Sequence, residues 1–120
     1  EFPILGPDSA KAHIVAQAFR ALMPEKYAEF HQTLLGAQER ATEDSAIADA
    51  VKLGADEAQL REKMKDPAIT GSFQQTYQLA QQLNITGTPS YIIGDELIPG
   101  AIGVDGLAER IATARAAAKN

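Results

Sequence analysis

Residues Ile85 to Gly100 constrain the fold of this chain more than any other stretch. Pro89 opens an apolar run, Tyr91-Ile92-Ile93, that reads as a buried strand; Gly94-Asp95 reads as a hairpin turn, and Leu97-Ile98 as a second short strand ended by Pro99-Gly100. A proline has a fixed φ and no N–H for a ladder, and it pushes the residue before it towards an extended conformation. Pro89 therefore suits the first residue of a strand, with Thr88 leading into it. Taken alone, these residues favour an ordinary trans Thr88–Pro89 peptide, because cis is the minority form.

Upstream, Phe2 to Leu5 is a strand candidate ended by Gly6-Pro7. Asp8 or Ser9 then caps a helix with Ala12, Val15, Ala16, Phe19 and Leu22 along one face. A second helix restarts at Pro24, with Tyr27, Phe30, Leu34 and Leu35 inward, and ends at Gly36. Thr42-Glu43-Asp44-Ser45 opens a third, with Ile47, Ala50, Val51 and Leu53 as its apolar stripe and Gly54 as a left-handed cap. Asp56 starts a short fourth helix through Leu60 and Met64. Asp66-Pro67 starts a fifth through Ile69, Phe73, Tyr77, Ala80 and Leu83, ending at Asn84. Gly71 inside it has no reason visible in the sequence. After the hairpin, Val104 or Asp105 begins a last helix with Leu107, Ile111, Ala114 and Ala118 inward. No internal repeat, low-complexity tract or interdomain linker is present.

The 120 residues are one domain's worth. Apolar residues make up 45% but aromatics only 6%, and alanine supplies much of the rest, a balance that favours close-packed helices over a large sheet. A net charge of -5, with the basic residues scattered singly, argues against nucleic acid or an anionic membrane surface as partner. No apolar run is long enough to span a bilayer. The start at Glu1, without methionine and inside a strand candidate, reads as a processed, trimmed or excerpted sequence.

Gly87-Thr88-Pro89 before an apolar strand, a hairpin and a last helix resembles the cis-proline loop of thioredoxin-fold proteins. The likeness widens to the DsbA-like disulfide oxidoreductases of the bacterial periplasm. Phe2-Pro3-Ile4-Leu5-Gly6-Pro7-Asp8-Ser9 looks like their edge strand and its exit, and Tyr27-Ala28-Glu29-Phe30-His31 like a helix of their inserted helical domain. The resemblance spans nearly all the residues present. It implies an α/β chain with an incomplete thioredoxin-like fold: a small sheet remnant, a five-helix insertion and a C-terminal helix. Residues 1–120 would form a single N-terminally truncated DsbA-like domain, with the helical insertion over 8–84 and the thioredoxin-fold remnant over 1–7 and 85–120. The family's first strand and its Cys-x-x-Cys helix would lie upstream of Glu1, and this chain has no cysteine.

The same resemblance implies a cis Thr88–Pro89 bond, and it makes Gly87, Thr88 and Pro89 the substrate-binding residues, with Thr88 offering backbone groups to an extended peptide. In the thioredoxin strand order the absent first strand would lie between Phe2–Leu5 and Ser90–Ile93, leaving both with an unpaired edge. A second copy of the chain, or a retained N-terminal fragment, is the expected partner completing the sheet.

Other chemistries lack their residues. His13 and His31 have no further ligands at metal spacing and read as helix residues, so no metal or other cofactor is expected. Ser9, Ser45, Ser72 and Ser90 have capping, helix-surface or strand readings, and none sits in a nucleophile elbow. Asp95 and Glu96 read as solvated turn residues rather than an acid–base pair. Gly100-Ala101-Ile102-Gly103 with Gly106 matches no phosphate or dinucleotide loop.

Disulfide exchange needs a thiolate, so no catalytic residue lies in this chain. The leading expectation is the C-terminal portion of a periplasmic DsbA-like thiol:disulfide oxidoreductase, inactive alone and acting on extended or unfolded polypeptides. A non-catalytic peptide-binding or chaperone-like module stands as the alternative. A small helical structural domain with an accidental likeness stands as the third.

Overall fold

The computed structural model describes residues 1–119 and divides the chain into two compact units, Glu1–Gln78 and Leu79–Asn120. In the first unit, α1 (Pro7–Leu22) is the helix on which α2 (Tyr27–Gly36), α3 (Glu43–Lys52) and α4 (Glu57–Lys63) all pack. It starts at least two residues earlier than the expected cap at Asp8 or Ser9: Gly6 is the N-cap at φ 103 and Pro7 takes the first helical position. There the missing proline N–H costs no hydrogen bond, and Asp8 falls in the first turn, where its charge complements the dipole. Ala12, Val15, Ala16, Ala18 and Phe19 are buried along α1. A single 3-10 turn, Pro24–Lys26, leads into α2, whose Phe30 stacks on Phe19 with ring centroids 4.6 Å apart. Both rings are fully buried. Leu35, expected inward, is instead 57% exposed, because it lies about 100° around the helix from Leu34.

The third helix has a reciprocal cap. Thr42 Oγ1 accepts from the Ser45 N–H at 3.1 Å while Ser45 Oγ accepts from the Thr42 N–H at 2.9 Å. Serine here takes the place of the usual glutamate or glutamine. Ala46, Ile47 and Ala50 are buried, and Val51, expected beside them, is exposed. At the other end Gly54 has φ 103, its N–H donates to the Val51 carbonyl and the Ala55 N–H to the Ala50 carbonyl, a Schellman closure. Lys26 Nζ satisfies the Leu53 carbonyl at 2.7 Å. Asp56 caps α4 by accepting from the Gln59 N–H at 2.9 Å, and Leu60 is fully buried. Ile69 and Phe73, from α5 (Pro67–Gln82), complete this core.

The expected strand over Phe2–Leu5 is not formed. A strand requires a neighbour to receive its backbone bonds, and none runs beside this segment among the described residues. Side chains take its carbonyls instead: Tyr77 Oη donates to Pro3 O at 2.6 Å and Arg40 Nη2 to Leu5 O at 2.6 Å. The Phe2 ring stands edge-on to Tyr77.

The second unit holds the antiparallel pair β1 (Ser90–Ile93) and β2 (Glu96–Pro99), then α6 (Gly103–Ala117). Gly94, at φ 63, takes the first central position of the two-residue turn, and Asp95 keeps a negative φ, the type II′ pattern that follows strand twist. Ile98 is buried, whereas the facing pair Ile92 and Leu97 are 48% and 37% exposed. The run expected to be buried throughout is therefore covered on one face only. Helix α6 starts at Gly103 rather than at Val104 or Asp105. Leu107 and Ala114 are half-buried on it, while Ile111 and Ala118, both expected inward, are exposed.

Three substitutions test this account. Gly71→Ala should stabilise by about 0.5–1 kcal/mol, since a Cβ there meets nothing within 4 Å. Gly54→Ala should destabilise by about 1 kcal/mol or more, because φ 103 is unfavourable for any L side chain. Phe30→Ala should cost about 3–5 kcal/mol. Urea unfolding followed by circular dichroism measures all three.

Candidate functional site

The loop that carries Gly87, Thr88 and Pro89 is fastened at both ends by backbone bonds. Its entry is the C-terminus of α5, where Asn84 adopts φ 55. The Asn84 N–H donates to the Gln81 carbonyl at 3.2 Å and the Ile85 N–H to the Ala80 carbonyl at 2.8 Å. This is a second Schellman closure, with asparagine where glycine is commoner, and it turns the chain sharply out of the helix. The exit is β1, where the Gly100 N–H donates to the Pro89 carbonyl at 2.9 Å.

That last bond determines where the strand's remaining backbone groups point. Pro89 and Gly100 form a bonded pair, and the register places Tyr91 opposite Ile98 and Ile93 opposite Glu96. In an antiparallel ladder alternate residues bond inward, so the N–H and C=O groups of Ser90 and Ile92 lie on the outer edge of β1. Pro99, opposite Ser90, has no N–H to pair. Among the described residues no strand occupies that outer edge.

The Thr88–Pro89 peptide is cis. Gly87, Thr88 and Pro89 form a bend that leads into β1. No backbone bond closes it; Ser90 Oγ donates to the Gly87 carbonyl at 2.7 Å instead. Thr88 and Pro89 are exposed, and Gly87 is half-buried with open space where a Cβ would stand. Beside the turn lies a shallow cavity of about 150 Å³, lined by Ile85, Thr88, Leu97 and Pro99 among others and by no charged side chain. The three residues singled out in the sequence are therefore contiguous on one exposed loop. The Ser90 hydroxyl was not among them. Its signal is a serine three residues after the turn's first carbonyl, a spacing at which hydroxyls close turns.

The other titratable candidates lie elsewhere. His13 is on α1, where its Nδ1 meets the Glu1 carboxylate; burial holds its pKa below the usual imidazole value. Tyr27 Oη donates to the same carboxylate, and burial pushes that phenol up. His31 is half-exposed on α2, with its Nδ1 3.9 Å from Glu1. Glu96 pairs with Arg110 at the hairpin. Among the described residues no group of histidine and carboxylate side chains has metal-holding geometry, and no helix is long and apolar enough to cross a membrane.

Comparison with known proteins bears on the whole chain. A thioredoxin-like oxidoreductase from Silicibacter pomeroyi is 36% identical, with a TM-score of 0.87 over 96% of this chain and 65% of its own. The thiol-disulfide exchange protein alpha-DsbA2 from Wolbachia pipientis is 32% identical, with a TM-score of 0.84 over 93% of this chain and 61% of its own. A periplasmic thioredoxin-like protein from Salmonella enterica serovar Typhimurium is 30% identical, with a TM-score of 0.82 over 96% and 63%. The 120 residues thus span somewhat under two thirds of these solved relatives. No curated protein matches significantly. A protein-family model described as DSBA-like thioredoxin domain matches residues 2–112, and with these structural neighbours it establishes that the chain belongs to the DsbA-like thioredoxin-fold family.

Proposed function

We propose that these residues are the C-terminal portion of an exported, periplasmic thiol:disulfide oxidoreductase and supply its peptide-binding loop rather than its reactive sulfurs. The observation that carries this reading is the exposed Thr88–Pro89 loop, with no charged side chain in the cavity beside it, in a chain with no cysteine. Exchange proceeds by thiolate attack on a disulfide sulfur, and no other side chain substitutes. Gly87, Thr88 and Pro89 bind an extended or unfolded polypeptide by main-chain pairing, and the sulfurs come from a Cys-x-x-Cys helix elsewhere in the protein. In this reading residues 1–120 are one domain with its first strand missing, 8–84 being the helical insertion.

The second unit supports a missing neighbour on energetic grounds. Ala80 and Ile98 are its buried apolar side chains, whereas Leu79, Leu83, Ile92, Leu97, Ile102, Val104 and Ile111 are exposed. So open an apolar inventory is what a surface made for covering looks like. A retained N-terminal fragment or a second copy completes the sheet. The alternative, a peptide-binding module that never had cysteines, draws on the same loop and the same lack of thiols.

Reading the coding sequence upstream of Glu1 separates the two. A strand followed by Cys-x-x-Cys at a helix start is the expected result, and an upstream region without a cysteine pair overturns the redox assignment. The 120-residue chain should leave the reduction of insulin by dithiothreitol at its background rate; acceleration would contradict a division of labour between loop and sulfurs. Light scattering at micromolar concentration should show a mass above the monomer for the purified chain, or a co-purifying fragment. A clean monomer would count against both partners.

A further inference from the structure

We infer that the strand completing the sheet of the 120-residue chain is β1 of a second copy, paired antiparallel about a two-fold axis at Tyr91, and that Pro99 ends the assembly there by closing the outer edge of β2. This deepens the reading of a missing neighbour and rests on it: the second copy's β1 stands where the absent strand would stand. The outer edge of β1 carries the N–H and C=O groups of Ser90 and Ile92, and these are self-complementary. With the two Tyr91 residues opposite each other across the axis, Ser90 of each copy exchanges both backbone bonds with Ile92 of the other, and every outward N–H finds a carbonyl. Charge does not oppose the approach. No charged side chain occurs from Pro67 to Gly94, so two chains of net charge -5 meet along β1 without placing like charges opposite each other.

The outer edge of β2 behaves differently. Tyr91 with Ile98 and Ile93 with Glu96 are the inward-bonding pairs, so Leu97 and Pro99 turn their backbone groups outward. Pro99 has no N–H, and the same two-fold pairing built on β2 loses each bond that residue 99 should donate. Among the described residues no strand covers that edge, which leaves the proline to guard it. Were both edges usable, copies would add on either side and the sheet would keep growing. With one usable edge the two-fold pair is closed.

The chain has no cysteine of its own, so introduced thiols have no rivals. Ser90→Cys chains mixed with Ile92→Cys chains should form a disulfide-linked dimer under oxidised glutathione, because bonded partners lie about 5.5 Å apart at Cα, and neither variant should do so alone. Tyr91→Cys should cross-link by itself, since non-bonded partners lie about 4.5 Å apart. Light scattering should give twice the monomer mass for the wild-type chain, and assemblies above the dimer for Pro99→Thr with its helical circular dichroism unchanged. A dimer that cross-links by neither route overturns pairing through β1 alone. A single chain with a co-purifying fragment overturns the second copy as occupant. Pro99→Thr remaining a dimer, or losing its helical signal as it grows, overturns the role of Pro99. A clean monomer without any fragment overturns the missing-neighbour reading itself.

Discussion

One backbone hydrogen bond, from the Gly100 N–H to the Pro89 carbonyl, governs what the second unit can present to a partner. It places the β1–β2 ladder in a register where every second residue of β1 bonds inward, and the other residues are committed to the outer edge by the same geometry. The type II′ turn at Gly94-Asp95 enforces the same register from the opposite end of the hairpin. A slip by one residue would reverse the assignment, turning Tyr91 outward and exposing Ile98, the buried side chain of β2. Burial of Ile98 and presentation of the Ser90 and Ile92 edge are thus two consequences of a single alignment.

The first unit is organised by a different rule. Alanines at 12, 16 and 18 let α1 approach its neighbours closely, and the stacked Phe19 and Phe30 rings fill the space between α1 and α2. Glycine and proline stand where the chain reverses. Gly6-Pro7 starts α1, Pro24 restarts the chain after it, and Gly54 ends the turn that sends α4 back towards α1. The segment Glu1–Gly6 has no ladder and is held through side chains from α2, the loop after it and α5, by Tyr27, Arg40 and Tyr77. Such contacts reach across a long separation in sequence and give no local periodicity.

This explains which parts were legible in the residues. The helices were, because apolar spacing and caps are local: Thr42, Asp56, Gly54 and Asn84 all act at the helix ends where their types place them. The hairpin was legible for the same reason. The failures at Leu35, Val51, Ile92 and Ile111 share one cause, that an apolar residue's period shows which face it belongs to but not whether anything covers that face. Phe2–Leu5 failed for the matching reason, since strand propensity describes a segment while a strand is a property of a pair. The loop was visible through its proline, but the bond from the Ser90 hydroxyl to the Gly87 carbonyl depended on which carbonyl that hydroxyl could reach.

The character of the loop sets how it can recognise anything. The chain carries a net charge of -5, yet no charged side chain lines the cavity beside Thr88 and Pro89. The cavity's lining offers backbone groups, two prolines and the apolar Ile85 and Leu97. Main-chain pairing supplies attraction without regard to sequence, and a shallow uncharged cavity adds only a mild preference for apolar side chains. If the loop binds as proposed, it would suit polypeptides presented in extended form, whatever their composition. Under the proposed function it would favour unfolded over folded partners, because a folded protein has already spent the backbone hydrogen bonds that main-chain pairing requires.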